Sequence, residues 1–188
     1  MQIRNEEDIL NDIRQDEWMM DVLNTAKELH LPDWCICAGF VRSKVWDSIH
    51  CFSERTPLPD VDIIYFDKIN LNVAIEKEIE QKLYSIHPNV PWSVKNQARM
   101  HLKNNVAPYT SSTDAISKFP ETATAVGIKL DHTDNLRLIA PWGINDLIHV
   151  NVKPTPLFQQ TPQKMEIFKR RLENKRWHER WKGVKYDF

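Results

Sequence analysis

Residues 34–67, WCICAGFVRSKVWDSIHCFSERTPLPDVDIIYFD, constrain the fold more than any other stretch of the chain. Two short apolar segments, Trp34–Ala38 and Asp60–Phe66, have strand composition. Between them lie a glycine, a helix-compatible run to about His50, and a loop that Pro57 and Pro59 keep out of helix. The order predicted is strand, tight turn, helix, loop, strand. Gly39, at the strand-to-helix turn, lets backbone N–H groups approach an anion closely, and a helix N-terminus adds a favourable field for phosphate. Arg42 and Lys44 follow with charge of the matching sign.

The second strand carries Asp60 and Asp62 in an otherwise apolar run. Alternate strand residues share a face, so these carboxylates point the same way, with Cα atoms roughly 6–7 Å apart. Like charges so placed repel unless a cation lies between them. Hard oxygen donors at this spacing suit Mg²⁺, which binds through one or two carboxylates plus substrate phosphates. The bland alternative is a solvated strand end.

At 188 residues the chain reads as a single domain, with N-terminal helices over 1–30 and a basic helix from 162 to the C-terminus appended to the core. A formal charge of −1 gives no bulk signal for nucleic acid or membrane. No apolar run is long enough to span a bilayer, and MQIRNEEDIL lacks a signal-peptide centre, so the cytoplasm is the expected compartment. Cys35, Cys37 and Cys51 make a poor zinc set, since a structural site needs four ligands; the first two read as small core hydrophobes.

Helix caps punctuate the rest. Asn5, Asp16, Asn70 or Asn72, Asn96, the run Ser111-Ser112-Thr113-Asp114, and Thr161 each give a cap to a helical run. Glu76, Glu78 and Glu80 stand among lysines and read as a solvated face. Trp92–Val94 is predicted as a strand, Ala123–Leu130 and Leu136–Ala140 as a hairpin about His132–Asn135. The last helix, about 162–178, carries Lys164, Lys169, Arg170, Arg171, Lys175 and Arg176, with Trp177 and Trp181 beyond. Such a helix can bind RNA, or can be a solvated helix docked by Met165, Phe168 and Leu172.

Gly39-Phe40-Val41-Arg42, followed by Pro59-Asp60-Val61-Asp62-Ile63-Ile64, resembles the signature of the polymerase-β-like nucleotidyltransferases. The pattern is most similar to the head domain of class II CCA-adding enzymes, GGxVRD then DxDxxT. Ala38-Gly39 stands at the Gly-Gly pair, Ser43 replaces the motif's Asp, and Tyr65 its Thr. WSVKNQARMHL, FPETATAVGI and APWGINDL resemble a small bacterial nucleotidyltransferase-like family over nearly the full length. The neck and body domains that select the base and hold tRNA in CCA-adding enzymes have no room in 188 residues, so CCA addition itself is not expected.

The resemblance implies an α/β (α+β) nucleotidyltransferase core, a mixed, mainly antiparallel sheet of about five strands flanked by helices. It implies transfer of a nucleoside monophosphate from an NTP to an unidentified acceptor, with Asp60 and Asp62 catalytic and holding Mg²⁺, two ions in the full mechanism. Gly39, Arg42 and Lys44, with Lys95, Asn96 and Arg99 farther on, are the expected nucleotide contacts. Ser93 stands where a third carboxylate is expected; Glu121 and Asp146 are the other candidate acids. Two readings of another class compete: a catalytically silent nucleotide-binding module, or an RNA-binding protein using the basic helix.

Overall fold

The computed structural model describes residues 3–188. Two short helices open it, α1 (Glu6–Arg14) and α2 (Glu17–Lys27), each begun where a side chain accepts an N–H of the first turn: Asn5 from Asp8 and Asp16 from Met19. Strand β1 (Cys35–Cys37) leads into α3 (Gly39–Ile49), and the loop returns to β2 (Val61–Tyr65). Helix α4 (Val73–Ile86) crosses over to β3 (Trp92–Asn96), which runs parallel to β2 as a helical crossover requires. After α5 (Gln97–Asn104) and α6 (Ser112–Ile116) come β4 (Gly127–Leu130) and β5 (Leu136–Ile139).

The strands form one mixed sheet in the order β3-β2-β1-β4-β5, antiparallel except for the β2–β3 pair. The predicted strand at 123–130 begins only at Gly127. Before it the chain coils, with the N–H groups of Thr124 and Ala125 donating to the carbonyl of Glu121. Gly127 lies opposite Cys37, where a Cβ would meet the Cys35 Sγ and the Ile116 Cδ1 at 3.0 Å.

The two sheet faces differ. Ile36, Val61, Ile63, Tyr65, Trp92 and Val94 join the main core with the buried stripes of α1, α2 and α3. Cys35, Cys37 and Ile64 face a smaller cluster with Ile116 and Ala125. Both thiols are buried and free, and burial pushes them well above their usual range, so they serve as small hydrophobes.

The glutamates of α4 are not a solvated face. Glu76 is 1% exposed and Glu80 8%; only Glu78 lies out in solvent. β3 is an edge strand, and its outward N–H groups need acceptors. Glu80 Oε1 accepts from the Val94 N–H at 2.9 Å, and Glu76 Oε1 from the Asn96 N–H at 2.9 Å. Lysine spacing in the sequence gives no hint of this, because the acceptors are required by a strand 14 and 20 positions away.

Beyond the sheet, α7 (Asn145–Ile148), β6 (Asn151–Val152) and α8 (Pro156–Gln159) lead to α9 (Pro162–Lys175). The expected helix to residue 178 breaks at Arg176, whose φ of 46° is left-handed. The turn starts α10 (Trp177–Arg180) and swings Trp177 and Trp181 inward. A final strand not foreseen in the sequence, β7 (Lys185–Tyr186), pairs in parallel with β6. Phe168, Leu172, Trp177 and Trp181 belong to the same core cluster as Ile9, Ile13 and Leu23, so both terminal segments pack into the main core. Among the described residues no helix is long and apolar enough to cross a membrane.

Candidate functional site

Asp62 lies on β2, the strand next to the β3 edge, in register with Cys37 of β1 on one side and Ser93 of β3 on the other. It is half-buried, while Asp60, just before β2, is exposed. Burial pushes the Asp62 carboxyl above its usual value, and the neighbouring Asp60 charge pushes it the same way. A hydrogen bond with the Ser93 side chain and the charges of Lys95 and Lys175 oppose that shift without cancelling it. A half-buried acid whose charge is disfavoured by a second acid has a standing electrostatic demand for a cation.

The donor set fits a hard divalent ion shared with a phosphate ligand: carboxylate oxygens, a nearby hydroxyl and an open side. It does not form an all-protein cage. Among the described residues no three His, Cys, Asp or Glu side chains are grouped to hold an ion. Glu121 is fully buried, and its carboxylate is taken by Arg171 Nε at 2.5 Å and Thr124 Oγ1 at 2.5 Å. Asp146 accepts from Thr122 Oγ1 at 2.8 Å and pairs with Lys153 at 3.5 Å. Ser93 remains the residue at the position expected for a third acid.

The strand-to-helix turn departs from expectation in one respect. Gly39 is the first residue of α3, and the positive φ falls on Ala38, at φ 55° and ψ −116°. An alanine there is strained, and the Ala38 N–H donating to the Val126 carbonyl at 2.8 Å helps to hold it. A Cβ on Gly39 would lie 3.7 Å from Arg42 Nη2, an ordinary van der Waals distance, so neither space nor φ requires a glycine there.

Arg42 is buried in a tryptophan cage. Its guanidinium carbon lies 4.5 Å from the Trp177 ring centre, 5.3 Å from Trp46 and 5.8 Å from Trp181. Cation–π attraction favours such a charge when it is desolvated. Burial pushes its pKa down to about 10, against the pull of Glu121, so it stays protonated at neutral pH. Nη2 donates to Ser43 Oγ at 3.2 Å, whereas Nε, fully buried, has no partner among the described residues. A buried donor left unmatched costs about 1–3 kcal/mol.

Beside it is a cavity of about 210 Å³, lined by Arg42, Ser43, Thr56, Lys175, Trp177 and Arg180 among others. Three cations and two hydroxyl side chains there make an anion receptacle. Asp47 fixes its wall. The carboxylate accepts from the Thr56 N–H at 2.8 Å, Thr56 Oγ1 at 2.6 Å and Trp181 Nε1 at 2.8 Å, and Arg180 Nε donates to Thr56 Oγ1 at 2.7 Å. The loop 51–59 and α10 are thereby tied to α3.

The other expected nucleotide contacts are engaged elsewhere. Lys44 pairs with Asp12 and Asp16, both at 3.2 Å, on the side of α3 toward α1 and α2. Residues two apart on a helix do not share a face, so Lys44 points away from Arg42. Asn96 is 1% exposed; its oxygen caps α5 at the Ala98 N–H, and its nitrogen donates to the carbonyls of Asp67 and Asn70 at 2.8 and 3.0 Å. Arg99 forms a fork on Glu76, at 2.7 and 2.5 Å. Lys95 pairs with Glu80 at 3.1 Å, yet its charge also reaches Asp62.

Lys175, Arg180, Trp177 and Trp181 join the site without having been singled out for it. The one sequence signal is the interleaving of basic residues with tryptophans after Arg171, which fits an RNA-binding helix or a solvated helix docked on the core.

The profile of a nucleotidyltransferase family matches residues 24–186, nearly the whole described chain. The chain belongs to this nucleotidyltransferase family. The nucleotidyltransferase also superposes on an NMR structure described as revealing a CCA-adding enzyme head domain, with a TM-score of 0.86 and 35% identity, covering 98% of this chain and 97% of the other. The Thermotoga maritima CCA-adding enzyme complexed with tRNA superposes with a TM-score of 0.58 at 16% identity over 100% of this chain and 44% of its own. A CCA-adding enzyme with ATP gives 0.53 at 17% identity over 100% and 43%. The nucleotidyltransferase thus spans under half the length of those two enzymes, and at such identities the likeness establishes the fold. No curated protein matches its sequence.

Proposed function

We propose that this nucleotidyltransferase moves the nucleoside monophosphate of an NTP to an acceptor hydroxyl or phosphate, with Mg²⁺ held by Asp60 and Asp62. One observation carries the reading: the acid pair, which calls for a cation, and the Arg42–Lys175–Arg180 cavity, which calls for an anion, act on common ground. Lys175 both lines the cavity and lowers the Asp62 pKa, and the Asp60 charge reaches Arg42. A triphosphate carrying Mg²⁺ satisfies both demands at once.

In this reading Arg42, Lys175 and Arg180 bind the β- and γ-phosphates, and the unmatched Arg42 Nε is a donor held ready for one of their oxygens. Ser43 and Thr56 supply polar contacts to the same group. Trp177 covers the guanidinium and keeps water from it, which strengthens each charge interaction. Asp60 and Asp62 orient the α-phosphate from the sheet. When bound, the metal would neutralise phosphate charge and lower the pKa of the attacking hydroxyl. The acceptor oxygen forms a bond to the α-phosphorus, the α–β bridging P–O bond breaks, and pyrophosphate leaves toward the basic cavity. Positioning and charge neutralisation supply most of what phosphoryl chemistry needs.

That no third acid stands beside the pair among the described residues favours one competing reading, a module that binds nucleotide without turnover. A single experiment addresses both. Trp177 and Trp181 face Arg42, so their fluorescence should respond to ATP, CTP, GTP or UTP in a Mg²⁺-dependent way. Asp60→Asn should weaken that response at least tenfold while leaving the melting temperature within about 2 °C, since the exposed residue keeps its shape. Mutant binding equal to wild type, in metal and nucleotide alike, would remove the metal role. Binding without pyrophosphate release across a panel of hydroxyl and phosphate acceptors would favour the silent module.

A further inference from the structure

One cavity lies away from the acid pair and has no part in the reading above. It encloses about 710 Å³ between the end of α5, the turn after α6, and the start of α9. Ligand pockets run from about 300 to 1,000 Å³. Its chemistry is one-sided. Lys103, Lys118 and Lys164 come from three separate elements, and no carboxylate lines it. Lys118 pairs with Asp114 at 3.5 Å, but Lys103 and Lys164 have no ion-pair partner among the described residues. Phe119 and Phe158, both half-buried, supply flat apolar walls, and Asn104 and Gln163 supply amides at the rim.

Helix α9 relates this cavity to the candidate site. Lys164, Arg171 and Lys175 fall at spacings of seven and four, which is one face of a helix. Lys164 opens the large cavity, Arg171 holds the buried Glu121, and Lys175 lines the Arg42 cavity. At about 1.5 Å per residue, Lys164 and Lys175 are roughly 16 Å apart along the axis. Phe119 packs under the sheet face that carries Cys37, the strand neighbour of Asp62.

We propose that this cavity is a second binding site, taking an organic anion of nucleotide size: a flat ring system that stacks on Phe119 and Phe158 and bears a phosphate held by Lys103 and Lys164. The ring gives the apolar walls a partner, the phosphate gives the unpaired lysines one, and the rim amides can bond its polar edge. If the nucleotidyl-transfer reading holds, the cavity lies on the acceptor side, a helix face away from the triphosphate. Two sources share this chemistry, a free mononucleotide and the phosphorylated end of a nucleic-acid strand.

The test is an NMR titration of the full ¹⁵N-labelled chain with adenosine 5′-monophosphate, with inorganic phosphate as the ring-free control. Shifts are expected at residues 103–105, 118–119 and 158–167, weak or absent with phosphate alone. Lys103→Glu combined with Lys164→Glu should lower the affinity at least tenfold, and Lys103→Ala with Lys164→Ala less, with no loss of fold. Asp60→Asn should leave this binding unchanged, which separates it from the metal-dependent nucleotide response. A short 5′-phosphorylated oligonucleotide binding more tightly than the monophosphate would identify a strand end as the source; the reverse would identify a free nucleotide. Shifts confined to residues 42–43 and 177–181, or unchanged affinity in both lysine double variants, would overturn the proposal.

Discussion

Glu76→Ala is the perturbation whose cost can be worked most directly from the structure. The Glu76 carboxylate is 1% exposed and accepts three hydrogen bonds: from the Asn96 N–H at 2.9 Å, Arg99 Nε at 2.7 Å and Arg99 Nη2 at 2.5 Å. Hydrogen bonds to a charged group contribute about 1.5–3 kcal/mol each, and they do not add simply. Truncation strands the Asn96 N–H on an edge strand, at about 1–3 kcal/mol. Arg99 is 23% exposed, so its guanidinium regains water and its share must be discounted. The net expectation is a loss of about 3 kcal/mol. For a chain of this length that lowers the melting temperature by roughly 6–12 °C. Glu78→Ala, on the exposed face of the same helix, should cost under about 0.5 kcal/mol. Differential scanning calorimetry of both variants decides the matter. Equal melting temperatures would mean that Glu76 is a solvated residue and that the capping of β3 described here is wrong. Glu76→Gln should fall between the two, because its amide oxygen still accepts from Asn96 while its nitrogen confronts Arg99.

Asp62→Asn should stabilise the metal-free fold. The Asp62 carboxyl has a pKa raised above its usual 3.8, so its ionised form costs stability once the pH exceeds the folded-state value, and the cost vanishes below 3.8. In EDTA the variant should therefore melt higher than wild type at pH 8, with the gap closing as the pH falls; a gap that widens in acid would contradict the electrostatic account. Ala38→Gly should relieve a backbone strain of about 1–3 kcal/mol, offset by about 0.5–1 kcal/mol of glycine's extra entropy. Denaturant unfolding should show a net gain of up to about 2 kcal/mol, and a loss would mean that the positive φ at Ala38 carries no strain.

Local chemistry made much of the chain legible. The caps at Asn5, Asp16, Asn96, Ser111 and Thr161 all act as their side chains dictate, each accepting an N–H two or three residues ahead. Asn72 rather than Asn70 caps α4, and Asn70 instead accepts the Asn72 N–H at 3.2 Å. Strand alternation put Asp60 and Asp62 on one face, and Asp62 lies on the side of Cys37 and Ser93. The mixed, mainly antiparallel five-stranded sheet followed from the strand-helix-strand order together with the family likeness. Lys44 is legible in the same way, since a side chain two positions from Arg42 on a helix faces elsewhere.

Tertiary structure alone decided the partners of charged groups. Sequence spacing shows where a charge sits on its own helix, but its energy depends on what packs opposite. Glu76 and Glu80 are buried because an edge strand needs acceptors, a condition that exists only once β3 is placed. Arg42 keeps a desolvated charge because Trp177 and Trp181, more than 130 positions later, close over it after the left-handed turn at Arg176. Lys175, the last residue of α9, reaches Asp62 from just before that turn. The sequence by itself determined the elements and the acid pair, through short-range capping, periodicity and turn chemistry. The anion cavity beside that pair is a product of long-range packing, in which desolvation and distance set the energies, and neither is encoded in any local stretch.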